Sequence, residues 1–208
     1  MEITLIANTP NPEEVIANAA RTCYDSAPKD LESSRKMIRA LVKAGHEAMI
    51  EHATASFRLN GVSRVLTHEI CRHRLCSFAM RSQRYVKENN PSYVVPDVLI
   101  DDNSANDNMK AARDIFENAM KTAWDAYSQL LSYGLKAEDA RFVLPNACTT
   151  EIVVSANFRE WRNFLKLRLS KRAQWEIRKA ANIILDKLYE IAPSCFEDLK
   201  NGMNVQMT

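Results

Sequence analysis

Apolar positions recur along the chain with both the strand and the helix period, which predicts a mixture of the two elements. Strands are predicted at residues 2–8, 53–59 and 149–156. Helices are predicted at residues 12–24, 31–43, 108–133, 138–144, 160–169 and 174–191. The predicted strands are few, and pairs of helices separate them along the chain, so regular βαβ units are not expected. This favours an α+β fold in a single mixed domain over residues 1–208, with a mainly antiparallel sheet flanked by helices.

Breaks in the pattern indicate where elements end. The second strand is expected to close in a turn at Asn60-Gly61, and Pro193 is expected to stop the last helix. Residues 89–108 are rich in Pro, Asp and Asn and are expected to form a loop. Ser63 is placed to cap one further helix. The apolar face of that helix contains Val62, Leu66 and Ile70, and its cationic face contains Arg64, His68 and Arg72.

Composition is that of an ordinary soluble protein: 208 residues, of which 46% are hydrophobic and 26% charged. No apolar run approaches the roughly 18 residues of a membrane span, and the N-terminus lacks the basic and apolar regions of a signal peptide. The five Cys are spread without paired spacing, so we expect reduced thiols and a cytoplasmic protein. Only four Gly are present, which argues against a Gly-rich dinucleotide turn, and so against a Rossmann fold, and against a phosphate loop.

The net charge of +2 conceals two strongly basic segments. Residues 58–84 contain six Arg, no Lys and one acid, and residues 159–179 contain eight basic residues and two acids. Arginine offers a planar fork that holds phosphate or carboxylate through two parallel hydrogen bonds, whereas lysine does not. The pattern therefore favours anion recognition.

The polar residues allow several interpretations of the function. The pairs His46-Glu47 and His68-Glu69 suggest a zinc helix, but the next His follows His46 by six residues and His68 by five, where one helical face requires four. This spacing argues against a metal site. Cys148 could be a nucleophile, although no base lies beside it in the sequence, and a small buried residue is the favoured interpretation. A nucleic-acid-binding module that uses both basic segments is a further alternative.

An ordered set of motifs is similar to the flavin-dependent thymidylate synthases. Arg72-His73-Arg74, followed after seven residues by Ser82, resembles the family signature. Further elements match in order over roughly residues 12–192: Gly45-His46-Glu47, Glu51-His52, Gly61-Val62-Ser63-Arg64, Ser82-Gln83-Arg84-Tyr85, Arg141-Phe142-Val143-Leu144-Pro145, Asn157, Asn163, Leu167-Arg168 and Ala173-Gln174-Trp175-Glu176-Ile177.

The resemblance implies a reductive methylation of deoxyuridine monophosphate (dUMP) to thymidine monophosphate (dTMP). It implies methylenetetrahydrofolate as carbon donor, FAD as redox cofactor and NADPH as reductant, without attachment of a Cys to the pyrimidine. It also implies a homotetramer with active sites at subunit interfaces, and no nucleic-acid or membrane partner.

Residue roles follow from the same resemblance. The expected FAD contacts are His46, Arg72, His73, Arg74, Asn157, Arg159 and Asn163. The expected dUMP contacts are Glu69, Arg72, Arg81, Ser82, Gln83, Arg84, Arg141 and Arg168. Arg168 is the expected catalytic residue, because a fixed cation beside N3 of the uracil stabilises the ionised ring. No metal ligand is expected.

The chain departs from the usual family pattern at three positions. Glu69 stands where Gln is common, Ala48 where Ser or Thr is frequent, and Met80 where a polar residue is usual. We expect Glu69 to pair with Arg72 or to contact the sugar, because a carboxylate beside a phosphate is electrostatically unfavourable. A diverged homologue without activity is therefore another alternative.

Overall fold

The computed structural model describes residues 1–23, 25–27, 30–88, 92–100 and 107–206, with side chains to residue 202. The strands are β1 (Glu2–Asn8), β2 (Thr54–Ser63), β3 (Ser77–Met80) and β4 (Thr149–Asn157). The helices are α1 (Pro12–Thr22), α2 (Leu31–Lys43), α3 (Arg64–Ile70), α4 (Asp107–Ser132), α5 (Ala137–Ala140), α6 (Phe158–Arg168), α7 (Trp175–Ile191) and α8 (Pro193–Gln206). Among the described residues the strands form an antiparallel sheet in the order β1-β2-β4-β3, and the expected α+β class is confirmed.

Local chemistry explains where the helices begin and end. Pro12 is the first residue of α1, and the acidic residues Glu13 and Glu14 follow it in the first turn. The Asp30 carboxylate accepts from the Ser33 amide at 2.8 Å and caps α2. The Ser63 hydroxyl accepts from the Leu66 amide at 3.1 Å, which confirms the predicted cap of α3. Gly134 follows α4 with φ of +90°, a conformation that glycine adopts without strain.

The predicted turn at Asn60-Gly61 is wrong, because β2 continues through both residues to Ser63. Gly61 has φ of +66°, and a glycine with this backbone conformation inside a strand accommodates a local bend without ending the pairing. The cationic stripe is also shorter than predicted. Helix α3 ends at Ile70, and Arg72 lies in the turn that follows.

The sequence pattern missed several short elements and one helix. Pro193 does not simply stop α7 but opens α8, since proline is well tolerated at the first position of a helix. β3 and the 3-10 helix Glu47–His52 were not predicted. Of the expected loop 89–108, residues 92–100 include a bridge from Tyr93 to Cys148 and a 3-10 turn at Asp97–Leu99. Helix α4 begins at Asp107, and residues 89–91 and 101–106 lie outside the described part.

Two compact units are distinguished by their internal contacts. Unit 1 contains residues 1–59, 69–79 and 153–208, and unit 2 contains residues 60–68 and 80–152. The prediction of one domain over residues 1–208 stays a prediction. No helix among the described residues is long and apolar enough to cross a membrane.

Each unit has an aromatic centre. In unit 1 the Trp161 ring of α6 packs edge-on against Phe57 at 5.1 Å and against Phe164 at 5.6 Å between centroids. The Trp161 Nε1 donates to the Ala55 carbonyl at 3.0 Å, so the indole is both buried and satisfied. In unit 2 Trp124 and Tyr127 pack edge-on at 5.8 Å in the cluster that contains Cys148.

A buried arginine joins three elements of unit 1. Arg162 on α6 is 1% exposed and binds Asp198 of α8 through two hydrogen bonds of 2.7 Å. Its Nε donates to Glu47 at 3.0 Å. Although burial opposes it, these bonds raise the pKa of Arg162 and lower the pKa of Asp198. The ion cluster therefore fixes α6 against α8 and against the 3-10 helix Glu47–His52.

Replacing Arg162 with Met should lower the free energy of unfolding by about 3 kcal/mol, because Glu47 loses a partner inside the protein and Asp198 loses its bidentate bond. The matched variant is Arg159→Met on the same helix, which removes an exposed ion pair with Glu51 and should cost less than about 1 kcal/mol. Urea unfolding of both variants measures the difference. Equal losses would contradict a special role for the buried pair.

Candidate active site

Helix α6 supplies most of the polar side chains at the candidate site in unit 1. The Asn157 side chain caps the helix by accepting from the Glu160 amide at 2.9 Å. The Phe158 amide donates to the Ala53 carbonyl at 2.8 Å, which fixes the start of the helix beside β2. Arg168 is the last residue of the helix, so one element carries residues at both of its ends.

A cavity of about 620 Å³ opens at the N-terminal end of α6. Its lining residues are Glu47, Glu51, Leu75, Asn157, Arg159, Glu160, Asn163 and Lys166. The volume lies within the range of roughly 300–1,000 Å³ that is typical of small-molecule sites. Three of the residues expected to contact FAD, Asn157, Arg159 and Asn163, thus share one cavity.

A row of polar contacts connects this cavity to Arg168. Glu160 Oε1 lies 3.4 Å from His73 Nδ1. Arg168 Nε lies 3.1 Å from His73 Nε2, and its Nη1 and Nη2 donate to the Glu69 carboxylate and carbonyl at 3.0 and 3.1 Å. The order Glu160–His73–Arg168–Glu69 is called the polar row below.

The polar row determines the protonation state of His73. Arginine Nε can only donate a hydrogen bond, so His73 Nε2 must accept it. The imidazole is then neutral and carries its proton on Nδ1, towards Glu160. Burial and the nearby charge of Arg168 lower the pKa of His73, while Glu160 opposes the shift. The His73 ring is 5% exposed and also packs edge-on against Phe164 at 5.0 Å.

Glu69 differs from expectation in its partner. The sequence suggested a pair with Arg72 or a contact with the sugar, and the sugar contact stays a prediction. The carboxylate binds Arg168 at 3.0 Å. The cause is geometric, because α3 ends at Ile70 and Arg72 lies exposed in the following turn. The other predicted FAD contacts of unit 1, His46 and Arg74, are also exposed.

The remaining predicted dUMP contacts lie in unit 2, where carboxylates bind two of the arginines. Arg81 pairs with the buried Glu88, and Arg84 pairs with Glu138 at 2.6 Å. Arg141 donates from Nε to the Glu138 carbonyl at 3.1 Å. Glu138 therefore holds both Arg84 and Arg141 in place.

Four buried donors of unit 2 are unsatisfied within the described residues, namely those of Arg64, Gln83, Trp124 and Thr150. Gln83 Nε2 and Arg64 Nε are buried and have no hydrogen-bond partner there. Unpaired buried donors are costly, and they fit a segment that receives an acceptor from a ligand. The Ser82 hydroxyl, which is partly buried, accepts from the Arg84 amide at 3.1 Å and stabilises the turn between them. It stays a prediction that the dUMP contacts of unit 2 meet Arg168 in one cleft. These contacts are Arg81, Ser82, Gln83, Arg84 and Arg141.

The buried cysteines have thiols of low reactivity. Burial, with a contribution from Glu88, raises the pKa of Cys148 to about 11. Burial and Glu160 raise the pKa of Cys76 to about 12. Cys148 is 1% exposed in the core of unit 2, so the interpretation of this residue as a small buried side chain is confirmed.

The histidines do not converge. His46, His52 and His68 are exposed and His73 is buried. Among the residues that the structure covers, no group of three or more His, Cys, Asp or Glu side chains could hold a metal ion.

Sequence reasoning missed the carboxylates that organise these sites, namely Glu88, Glu138 and Glu160. For Glu160 a signal was present, because Asn157 followed three residues later by Glu has the form of a capping box. In the structure the carboxylate turns towards His73 rather than back to the cap residue. Glu138 meets Arg84 across 54 positions, which no local pattern encodes, and Glu88 meets Arg81 across seven positions outside any helix.

Comparison with known proteins decides the family. The model of the thymidylate synthase complementing protein family matches residues 4–194. A flavin-dependent thymidylate synthase of Geobacter sulfurreducens is 41% identical over 97% of this chain and 88% of its own length. Those of Clostridium tetani and Pyrococcus abyssi are 39% and 37% identical over 95% and 90% of this chain, and over 86% and 79% of their own lengths.

The chain belongs to the flavin-dependent thymidylate synthase family. The match covers all of α1–α7 and the whole sheet, apart from the first two residues of β1. It also includes the polar row, the cavity of unit 1 and residues 81–84 of unit 2, which are called the arginine segment below.

The buried neutral state of His73 predicts a pH dependence of stability. Its pKa is lowered in the folded protein from the usual 6.5, so below that pH the unfolded chain binds more protons and stability falls. The decrease in unfolding free energy from pH 7 to pH 5 should be smaller in His73→Gln than in the wild type. Urea unfolding at both pH values measures it, with His52→Gln correcting for loss of an exposed imidazole. Equal decreases in wild type and His73→Gln would contradict the assignment.

Proposed function

We propose that this protein converts dUMP to dTMP, with methylenetetrahydrofolate as carbon donor, a bound FAD as redox cofactor and NADPH as reductant. The family match over residues 4–194 carries the proposal. The polar row and the cavity of unit 1 lie within that match and supply the side chains that such a reaction needs.

The donor set around the cavity fits a flavin nucleotide. The guanidinium of Arg159 and the ammonium of Lys166 line the cavity. They pair with Glu51 and Glu47, and by exchanging these partners they could bind the pyrophosphate. The amides of Asn157 and Asn163 can donate and accept at the edge of a flavin ring. His46, Arg72, His73 and Arg74 are the other residues proposed for this cofactor. When bound, FAD supplies the redox chemistry that the side chains of this protein lack.

The arginine segment of unit 2 fits the phosphate of a nucleotide. Arg81 and Arg84 present guanidinium groups that carboxylates already hold in fixed orientations. Gln83 Nε2 is a buried donor without a partner among the described residues. We assign Arg81, Ser82, Gln83, Arg84 and Arg141, together with Glu69 and Arg72, to dUMP.

Arg168 is the proposed catalytic residue. Its guanidinium has five N–H donors, of which three bind His73 and Glu69. The other two have no acceptor among the described residues and are available to a uracil ring. A cation held in this way stabilises negative charge at N3 and moves electron density towards C5.

The same site works without a cysteine nucleophile. The thiols of Cys148 and Cys76 are buried and protonated at neutral pH, because their pKa values are raised to about 11 and about 12. We further propose a homotetramer in the cytoplasm that completes its active sites at subunit interfaces and has neither a nucleic-acid nor a membrane partner.

The visible spectrum of the purified protein tests the cofactor. We expect flavin absorbance that decreases when NADPH is added without oxygen, and tritium release from dUMP labelled at C5 that requires both FAD and the folate. A colourless protein that takes up no added FAD would contradict the proposal.

Titration with a labelled oligonucleotide tests the alternative of nucleic-acid binding, which predicts an affinity that falls steeply with salt.

Replacing Arg168 with Ala should leave the protein folded and lower kcat by roughly 100-fold, the scale for removing one fixed donor to a developing charge. The matched control is Arg178→Ala. This arginine of α7 donates to the Lys171 carbonyl and has no assigned role at the site. Steady-state kinetics with dUMP measures both variants. Turnover of Arg168→Ala within a few-fold of the wild type would remove Arg168 from the reaction.

A further inference from the structure

We propose that Glu160 is a positioning residue for Arg168, and that it acts through His73. Glu160 makes no contact with Arg168 in the polar row, yet it selects the form of His73 that can receive the Arg168 Nε–H. The inference rests on the proposed function, because it concerns the arginine assigned to the uracil ring.

The position of Glu160 is fixed from several sides. The side chain is 4% exposed and lies in the first turn of α6. The amide of Glu160 is held by Asn157 at 2.9 Å. Asn163 Nδ2 donates to both carboxylate oxygens, at 3.2 and 3.4 Å. The positive end of the helix dipole also favours a charged carboxylate there.

The two neighbours of His73 require opposite behaviour from its ring nitrogens. Glu160, as a carboxylate, can only accept a hydrogen bond, while Arg168 Nε can only donate one. The neutral ring with its proton on Nδ1 satisfies both neighbours at once. The other tautomer would place an N–H against the Arg168 N–H and a lone pair against the carboxylate. The ring nitrogen that keeps the proton is set by the hydrogen bond that it makes, and here the accepting group is Glu160.

Asn163 connects this arrangement to the cavity. It lines the cavity together with Glu160, and it binds the same carboxylate that orients His73. A ligand that contacts Asn163 therefore shares a hydrogen-bonded path with Arg168 at the other end of α6. Glu160 joins the proposed flavin side of unit 1 to the proposed catalytic cation.

The experiment compares the full-length wild type with Glu160→Gln and Glu160→Asp. Long-range proton–nitrogen spectra of isotope-labelled histidine give the tautomer of each ring, and His73→Gln identifies the signal of His73. We expect a proton on Nδ1 in the wild type. In Glu160→Gln the amide can either accept from Nδ1 or donate to it, so His73 is no longer held in one form. The Nε2–H form should appear beside the Nδ1–H form, and kcat and kcat/KM for dUMP should fall together by roughly tenfold or more. Glu160→Asp keeps the carboxylate and should keep the wild-type tautomer.

The matched control is Glu176→Gln. Glu176 is 1% exposed, lies in the first turn of α7 and has its amide held by Gln174 at 2.8 Å. The variant removes a similarly buried carboxylate from the first turn of another helix, and it should leave the His73 tautomer unchanged.

Three results would overturn the proposal. They are an Nε2–H form of His73 in the wild type, an unchanged tautomer in Glu160→Gln whatever its kcat, and a changed tautomer with an unchanged kcat. If Glu160→Gln does not fold, the wild-type spectrum and Glu160→Asp still decide. A wild type without thymidylate synthase activity would refute the proposed function, whereas the tautomer spectra would still test the link between Glu160 and His73.

Discussion

An arginine guanidinium can only donate hydrogen bonds, and this constraint orders the buried polar groups of unit 1. Because Arg168 Nε–H is directed at His73 Nε2, the imidazole must be neutral and must carry its proton on Nδ1, where an acceptor is needed. The Glu160 carboxylate lies at that nitrogen, and Glu69 accepts two further hydrogen bonds from the guanidinium. One donor-only group thus links the segment that contains Glu69 and His73 to helix α6, which carries Glu160 and Arg168.

Much of the fold could be predicted from the sequence because its helices and strands carry strong periodic patterns. The bounds of β1 and α2 agree with the pattern to the residue. The prediction of element ends was wrong at residues that are compatible with two different local structures. Gly61 is as compatible with a bend inside a strand as with a turn, and Pro193 is as compatible with opening a helix as with ending one. The outcome at both positions depends on contacts with other elements.

The candidate site was only partly predictable. The family motifs identified residues such as His73, Asn163 and Arg168, since these lie in recognisable local patterns. The ion pairs that orient them were missed, because Glu69 is separated from Arg168 by 99 positions and Glu160 from His73 by 87. Sequence spacing shows which side chains share a helix face, but not which carboxylate an arginine will meet after folding.

The burial of three thiols has a consequence for the durability of the protein. Cys76, Cys148 and Cys195 all have pKa values raised to about 11 or 12, mainly by burial. Peroxides and electrophiles attack the thiolate rather than the thiol, so these sulfur atoms are poor targets inside the folded chain. Oxidative damage is therefore directed to the surface, where Cys23 and Cys71 are exposed, and the packing around α6 and α8 is spared.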